Sequence, residues 1–202
     1  MSRIPATERR AALARAALAV ISRDGVTAAT TRAIVAEAGM PLASFHYAYS
    51  SRDELLSDVI ELVVADQGSA TFASLLLDTS DLRSAVRATF RAYLDVVRAD
   101  PAREQAMFEL TQHALRTPSL AALPRRQYES YRGLIGQLLA AGAAGHNAQW
   151  DIPVDELAAF VLVITDGITL SWLADRDDAA AERLLELATE AVMAHTLNGA
   201  HA

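Results

Sequence analysis

Apolar residues recur at helical spacing along almost the whole chain, and this period decides what the chain can fold into. In the first segment the apolar positions follow the spacing i, i+3, i+4, i+7 and i+8, which places them on one face of a helix. These positions are Leu13, Ala16, Ala17, Val20 and Ile21. No stretch alternates apolar and polar residues for long enough to form a strand. The sequence therefore predicts an all-α protein of about nine helices.

Capping and helix-breaking residues predict where the helices begin and end. The first helix should end at Gly25, and two short helices, at about 31–38 and 41–48, should lie on either side of Gly39. Ser51 and Glu54 have the spacing of a capping box, which opens a fourth helix running into the 70s. The remaining helices are expected at about 81–99, 101–116, 120–143, 153–174 and 179–197.

Composition limits the classes of protein that the chain can belong to. The chain of 202 residues suits one domain, or a small module joined to a larger one, at ~150 residues per domain. It contains no cysteine, which excludes disulfides, thiolate metal sites and a cysteine nucleophile. Its first residues lack the apolar core of a secretory signal, so we expect a cytoplasmic protein.

The apolar stretch 157–173 has to be weighed as a membrane span. It has 17 residues and carries Asp166 at its middle, whereas a bilayer needs ~20 apolar residues. We therefore predict no membrane association. A helix buried on two sides, against its own core and against a second subunit, accounts better for the composition and predicts a dimer.

Charge is divided unevenly along the chain. Residues 1–52 hold 7 arginines and 3 acidic residues, a local charge of +4, whereas residues 53–202 hold 11 arginines and 22 acidic residues, a local charge of −11. The net charge of −7 would repel a polyanion. A small basic head on an acidic body nevertheless indicates a nucleic-acid partner for the head.

Residues 30–56, with the sequence TTRAIVAEAGMPLASFHYAYSSRDELL, combine two short helices, a glycine turn and a capped long helix. Two short helices that cross at such a turn form a helix-turn-helix, whose second helix can enter the major groove. Helices under ~12 residues are marginal alone, so Ile34, Val35, Phe45 and Tyr49 should be buried against neighbouring helices. The pattern alone also occurs in all-α proteins that do not bind DNA.

The segment resembles the TetR family of bacterial one-component repressors, whose motif runs approximately T-T-x-x-I-A-x-x-A-G-V-S-x-G-T-L-Y-x-H-F-x-S-K-x-x-L. The match is ungapped from Thr30 to Leu56, and with the first helix it covers roughly residues 7–67. The remainder of the chain is similar only in length, helix count and acidic character. The resemblance implies a helix-turn-helix domain at 1–51, extending into the connecting helix to about 67, and an effector-binding and dimerisation domain at 52–202.

The resemblance also implies which residues contact DNA. Thr30 or Thr31 caps the second helix and offers its hydroxyl and backbone N–H to a phosphate, and Arg32 reaches the same strand. The other implied contacts are Pro41, Leu42, Ala43 and Ser44 at the bases in the first turn of the recognition helix, His46 and Tyr47 along the sugar-phosphate backbone, and Arg52 at a phosphate.

Three positions depart from the family pattern. Pro41 replaces the frequent serine, and it is tolerated at a first helical position. His46 replaces the commonest tyrosine, which predicts a weaker, pH-dependent contact. Leu42 and Ala43 carry no hydrogen-bonding groups, so base recognition there would rest on thymine methyls, whereas Ser44 can bond to several bases.

In the family the body dimerises and holds a small effector. The last two helices are the expected dimer pair, because two copies would make a four-helix bundle and their small residues allow close approach. A pocket needs apolar lining with converging polar groups. The candidates, each of which also suits a core or surface position, are Tyr93, Met107, Phe108, Gln112, His113, Tyr128, Tyr131, Asp166 and Trp172. Asp166 should have a partner, such as an arginine, or a raised pKa.

Enzyme motifs are absent: there is no GxxxxGK, GxSxG, GxGxxG or HExxH. Glu109 and His113 have metal-ligand spacing without an evident third ligand, so neither a metal nor a cofactor is expected. The sequence thus predicts a homodimeric repressor that binds a near-palindromic site in double-stranded DNA and is released by a small-molecule effector. The alternative is a helical dimeric protein-interaction module without DNA binding.

Overall fold

The fold consists of α-helices joined by short turns. The computed structural model describes the backbone of residues 5–75 and 81–197, and the side chains of residues 5–63 and 81–197. The helices are α1 Ala6–Asp24, α2 Thr31–Glu37, α3 Leu42–Ala48, α4 Arg52–Leu75, α5 Leu82–Ala99, α6 Pro101–Leu115, α7 Leu123–Gly145, α8 Val154–Asp175 and α9 Asp178–Met193, with 3₁₀ turns at Val26–Ala28 and Pro118–Leu120. Across the described residues the extended pairing is one isolated bridge, Trp150 with Thr196. The all-α prediction is confirmed.

Most helix ends lie where capping chemistry places them. Gly25 ends α1 with φ of 85°, and its N–H donates to the carbonyl of Ile21. Ser51 begins α4, since its Oγ accepts from the N–H of Glu54 at 3.1 Å. The carboxylate of Glu54 accepts from the N–H of Ser50 at 2.8 Å, so the return bond of the capping box is displaced by one residue.

Three of the helix ends that differ from the sequence prediction have an identifiable physical reason. Pro41 lies outside α3, as its extended N-cap with ψ of 151°, and not in the first turn. The seventh helix begins at Leu123 and not near 120, because Pro118 starts a 3₁₀ turn first. The ninth helix ends at Met193 and not at 197, because the chain then turns to pair Thr196 with Trp150.

The chain divides into two compact units that are discontinuous in sequence. The first unit comprises Met1–Asp66 and Asp100–Gln127. Its core joins α1, α2, α3 and the first half of α4 to the buried face of α6, which contributes Met107 and Leu110. The four residues predicted to stabilise the short helices are all buried here: Ile34, Val35, Phe45 and Tyr49.

The second unit comprises Gln67–Ala99 and Tyr128–Ala202. Its core is built from α5, α7, α8 and α9, with Leu94, Leu157 and Leu185 fully buried. A row of ion pairs also joins α5 to α9: Arg83 with Glu190, Arg87 with Glu186, Arg91 with Glu182, and Arg98 with Asp178 and Glu182. Because these pairs are largely exposed, they contribute less to stability than the apolar core does.

Helix α8 is the one helix of the described residues that is long and apolar enough to cross a bilayer. Its mean hydropathy over the most apolar window is 1.9, and 44% of that window is buried inside the protein. Leu157, Val161 and Ile168 of α8 pack in the core of the second unit. Packing in this core thus explains the apolar residues on one side of α8.

Candidate nucleic-acid interface and effector site

The N-terminus of α2 is capped by Thr30, the first of the two candidate threonines. Its Oγ1 accepts a hydrogen bond from the N–H of Ala33 at 3.2 Å. Thr30 and Arg32 are exposed, whereas Thr31 is half-buried. The exposed end of α2 therefore carries a hydroxyl, a guanidinium and helix N–H groups, all of which can donate to an anion.

Helix α3 separates into a solvent face and a core face. Leu42 is 42% exposed and Tyr47 80% exposed, and Pro41, Ala43 and His46 are exposed with them, while Ser44 is half-buried. Phe45 and Ala48 point into the core. Six of the residues implied to contact DNA are thus brought together, Pro41 at the N-cap of α3 and 42–44, 46 and 47 on one side of this seven-residue helix.

A polar network that sequence reasoning missed holds the end of α3. The hydroxyl of Tyr49 lies 2.7 Å from Oδ2 of Asp58, and the guanidinium of Arg10 lies over the Tyr49 ring at 4.2 Å. Arg10 also donates to Asp58, to Glu54 at 2.7 Å and to the carbonyl of Ala48 at 2.8 Å. Helices α1 and α4 thereby fix where the recognition helix ends.

These contacts shift the acid–base behaviour of the network. The hydrogen bond from Arg10, with those from Ser50, lowers the pKa of Glu54 to about 2. Burial, together with the hydrogen bond to Asp58, raises the pKa of Tyr49 well above its ordinary value. Glu54 is therefore charged and the phenol of Tyr49 neutral at physiological pH.

A second set of contacts holds the 3₁₀ turn Val26–Ala28, which precedes Thr30. The Nε of Arg52 donates to the carbonyl of Ala29 at 2.8 Å, and its Nη2 donates to the carbonyl of Val26. On the other side of the turn, Oε1 of Glu109 accepts from the N–H of Val26 at 2.8 Å. Arg52, implied to bind a phosphate, is thus half-buried against carbonyls of its own unit, and Glu109 caps this turn.

The proposed effector residues on α6 belong to the first unit. Met107 is buried in its core, Phe108 and His113 are half-buried, and Gln112 is exposed. Glu109 and His113 share this helix, and the described parts of the chain contain no group of three or more residues suited to hold a metal.

The other effector candidates belong to the second unit and form two groups. Tyr128 donates to Oδ2 of Asp166 at 2.7 Å, and the rings of Tyr128 and Tyr131 meet edge to face at 6.3 Å. The hydroxyls of Tyr93 and Thr169 lie 2.6 Å apart. Thr169 was missed from sequence, since nothing marks one threonine of an apolar helix. Trp172 lies apart from these and donates to Asp178 at 2.9 Å.

Asp166 has the environment that its position in an apolar helix predicts. Burial raises the pKa of its carboxyl, and the hydrogen bond from Tyr128 opposes that rise. Its partner is this tyrosine and not an arginine. Asp166 of α8 therefore has both a partner, Tyr128 of the adjacent helix α7, and a raised pKa, as expected from the sequence.

An all-α chain with an exposed recognition helix of this geometry belongs to the class of helix-turn-helix DNA-binding proteins. Residues 13–59 match the family model "Bacterial regulatory proteins, tetR family", and residues 82–197 match "BetI-type transcriptional repressor, C-terminal". The chain belongs to the TetR family of bacterial transcriptional regulators.

Individual relatives agree with this assignment. The nicotine-responsive transcriptional repressor HdnoR of Paenarthrobacter nicotinovorans is 29% identical over 95% of this chain and 97% of its own. A TetR transcription regulator from Haloarcula marismortui has a TM-score of 0.73 at 18% identity, covering 95% of this chain and all of its own. The multidrug binding protein EbrR, solved with imidazole, has a TM-score of 0.67 at 24% identity, covering 91% of this chain and 89% of its own. At these identities the two solved structures show a shared fold.

The chain is therefore a TetR-family transcriptional repressor and not an enzyme. Regulators of this family bind operator DNA through the helix-turn-helix and small-molecule effectors through the C-terminal domain.

Proposed function

We propose that the protein is a homodimeric repressor that binds a near-palindromic operator and leaves it when a small-molecule effector binds. The observation that carries this proposal is the division of α3 into a buried face and an exposed one. Leu42, Ala43 and Ser44 stand at the N-terminal turn, which is the part of a recognition helix that meets base edges. Pro41 precedes them and stiffens the approach to this turn.

The phosphate contacts belong to groups around this helix. Thr30 and Arg32 at the end of α2, with His46 and Tyr47 on α3, are exposed and carry donors or cations. Such contacts position the protein on the duplex, whereas the side chains at the base edges select the sequence. Thr31 and Arg52 are half-buried, so their main role is to hold the residues that contact DNA in place, and not to contact DNA themselves.

The dimer contact is proposed on an exposed apolar stripe of α8 and α9. On α8, Phe160, Val163 and Leu170 are exposed at helical spacing, with Val163 72% exposed. A Cβ added at Gly167, in the same stripe, would meet nothing within 4 Å in the single chain. Leu187 of α9 is 65% exposed. Soluble proteins rarely leave such a surface uncovered, and a second copy covers it in a four-helix bundle.

Release by an effector requires only that the ligand prefer one arrangement of the dimer. A coupling free energy of ~1–3 kcal/mol is typical and changes operator affinity by up to about two orders of magnitude. The nicotine-responsive repressor to which this chain is similar supports a small organic effector. A cytoplasmic location follows from a DNA target and agrees with a chain that has no cysteine.

A mobility-shift titration with the DNA upstream of the protein's own gene tests the proposal. We expect a shifted complex that a scrambled duplex of equal length does not compete away, with affinity falling steeply as salt rises. The alternative function, a dimeric module that binds a protein partner, predicts no sequence-selective shift. An absent shift, or one that is independent of sequence, contradicts the proposed repressor function.

A further inference from the structure

Helix α8 carries a carboxylate whose charge nothing in the described protein neutralises. Asp166 is partly withdrawn from water at the centre of the helix, and Tyr128 of α7 occupies one of its oxygens through a hydrogen bond of 2.7 Å. Burial disfavours the charged form, as the raised pKa of Asp166 reflects. A desolvated carboxylate destabilises a fold unless it is protonated or a positive group offsets its charge.

No positive group among the described residues is paired with Asp166. The chain contains no lysine. Of the side chains that the structure does not describe, those of residues 64–80 include neither arginine nor histidine, and those of residues 1–4 and 198–202 include Arg3 and His201. The arginines of α5 are committed to the acidic residues of α9. Within the described residues no ion pair reaches Asp166.

The tyrosine that donates to this carboxylate is one of two neighbouring aromatic residues on α7. Tyr128 and Tyr131 meet edge to face at 6.3 Å, one helical turn apart on α7. One turn along α8 from Asp166, the hydroxyl of Thr169 lies 2.6 Å from that of Tyr93 on α5. Tyrosine faces attract organic cations more strongly when water is excluded, and a carboxylate adds a direct ion pair.

We propose that Asp166, Tyr128 and Tyr131 form a subsite for the ammonium group of an organic cation, and that the effector of the proposed repressor is such a cation. This inference rests on the proposed function only where it calls the cation an effector. Binding of a cation at the site does not depend on DNA binding. One carboxylate among phenol rings does not suit a hydrated metal ion, which requires several oxygen ligands.

Calorimetry on the full-length, DNA-free protein tests the subsite. The probes are benzylammonium, benzyldimethylammonium and benzyltrimethylammonium, and benzyl alcohol is the uncharged comparison with the same ring. We expect at least one of the cations to bind at least about tenfold more tightly than the alcohol, a difference of about 1.4 kcal/mol. Equal binding of all four compounds, or no binding by any cation, overturns the proposal.

Variants separate the subsite from a structural role of the same residues. D166N keeps the shape of the side chain and an acceptor for Tyr128, and should lose the preference for cations while unfolding at the same or a higher temperature. D155N, on the exposed first turn of the same helix, is the matched control and should bind as the native protein does. An unchanged cation preference in D166N overturns the proposal.

The two proposals can fail separately. Selective DNA binding without cation binding removes the subsite and leaves the repressor proposal standing. Cation binding that D166N abolishes, in a protein that selects no DNA sequence, upholds the subsite and removes the repressor proposal.

Discussion

The side-chain carboxylate of Glu109 on α6 accepts a hydrogen bond of 2.8 Å from the backbone N–H of Val26, which lies 83 positions earlier in the chain. Val26 begins the 3₁₀ turn that leads to Thr30, the cap of α2. A residue of α6, in the same unit, therefore helps to hold the entry to the helix-turn-helix.

Replacing Glu109 by alanine should destabilise the turn that precedes α2. Val26 is fully buried, and an N–H left without an acceptor there costs ~1–3 kcal/mol. Glu109→Gln retains an acceptor oxygen and should recover most of that loss. Urea unfolding gives the free energies, and Glu61→Ala, at an exposed position of α4, is the control. Equal stability of the alanine and glutamine variants would contradict this role.

Replacing Arg52 by alanine should lower stability and weaken operator binding by the same factor on every sequence. Two carbonyls, of Ala29 and Val26, lose a charged donor, and hydrogen bonds to charged groups contribute ~1.5–3 kcal/mol. Binding isotherms at several salt concentrations measure the second effect. A fall of ~0.9 in the salt slope marks the direct phosphate contact expected from sequence. A variant that keeps both native stability and native affinity would refute both roles.

Replacing Ser44 by alanine should change which operator sequences are preferred. Its hydroxyl is the hydrogen-bonding group among the side chains of the N-terminal turn of α3, and one base contact discriminates by ~1–3 kcal/mol. Selection from a randomised duplex library compares the preferred sites of variant and native protein. Arg32→Ala is the comparison, since it should weaken binding without moving the preference. An identical preferred site for Ser44→Ala would rule out this residue as a base contact.

Placing a charge on the exposed stripe of α8 should convert the dimer into a monomer. Val163→Glu would bury a carboxylate without a partner between two copies, and the free energy of desolvating that charge should prevent association. Light scattering coupled to gel filtration reports the mass. Leu115→Glu alters an apolar side chain of similar exposure, 62%, on α6, and should leave the mass unchanged. Dimers in both variants would place the contact elsewhere.

The stability of the first unit should fall as pH drops from about 4.5 to about 2. Arg10 holds the pKa of Glu54 at about 2, below its usual 4.5, so the unfolded chain takes up a proton first in this range. Glu54→Gln should be less stable than the native protein near neutral pH, and the difference should shrink as pH falls through this window. Urea unfolding across a pH series measures it. A stability difference between the two proteins that does not change with pH would show that Arg10 does not stabilise the charged form of Glu54.

Local chemistry is what the sequence predicts well. Gly25 ends α1, Ser51 begins α4, and Phe45 and Tyr49 are buried, because each of these outcomes depends on residues within one or two turns. The exposed face of α3 follows once Phe45 is known to point inward. These features give most of the fold and the position of the recognition helix.

Contacts between distant segments could not be predicted. The spacing of Glu109 and His113 suits a pair of metal ligands, whereas in the structure Glu109 accepts a hydrogen bond from the backbone N–H of Val26. Arg10 and Asp58 lie 48 positions apart in the chain, and no spacing in the sequence predicts that they form a hydrogen bond. Tyr128 could equally have faced solvent, and only the packing of α7 on α8 gives it Asp166 as a partner.

The discontinuity of the first unit restricts how the protein can be rebuilt. Its core contains Ala106, Met107, Leu110, Leu120 and Leu123 beside the residues of the helix-turn-helix. An excised fragment that stopped at residue 67 would present the partners of these side chains to water and should aggregate or unfold. A chimera that fuses this DNA-binding head to a foreign sensor must therefore graft 100–127 along with it.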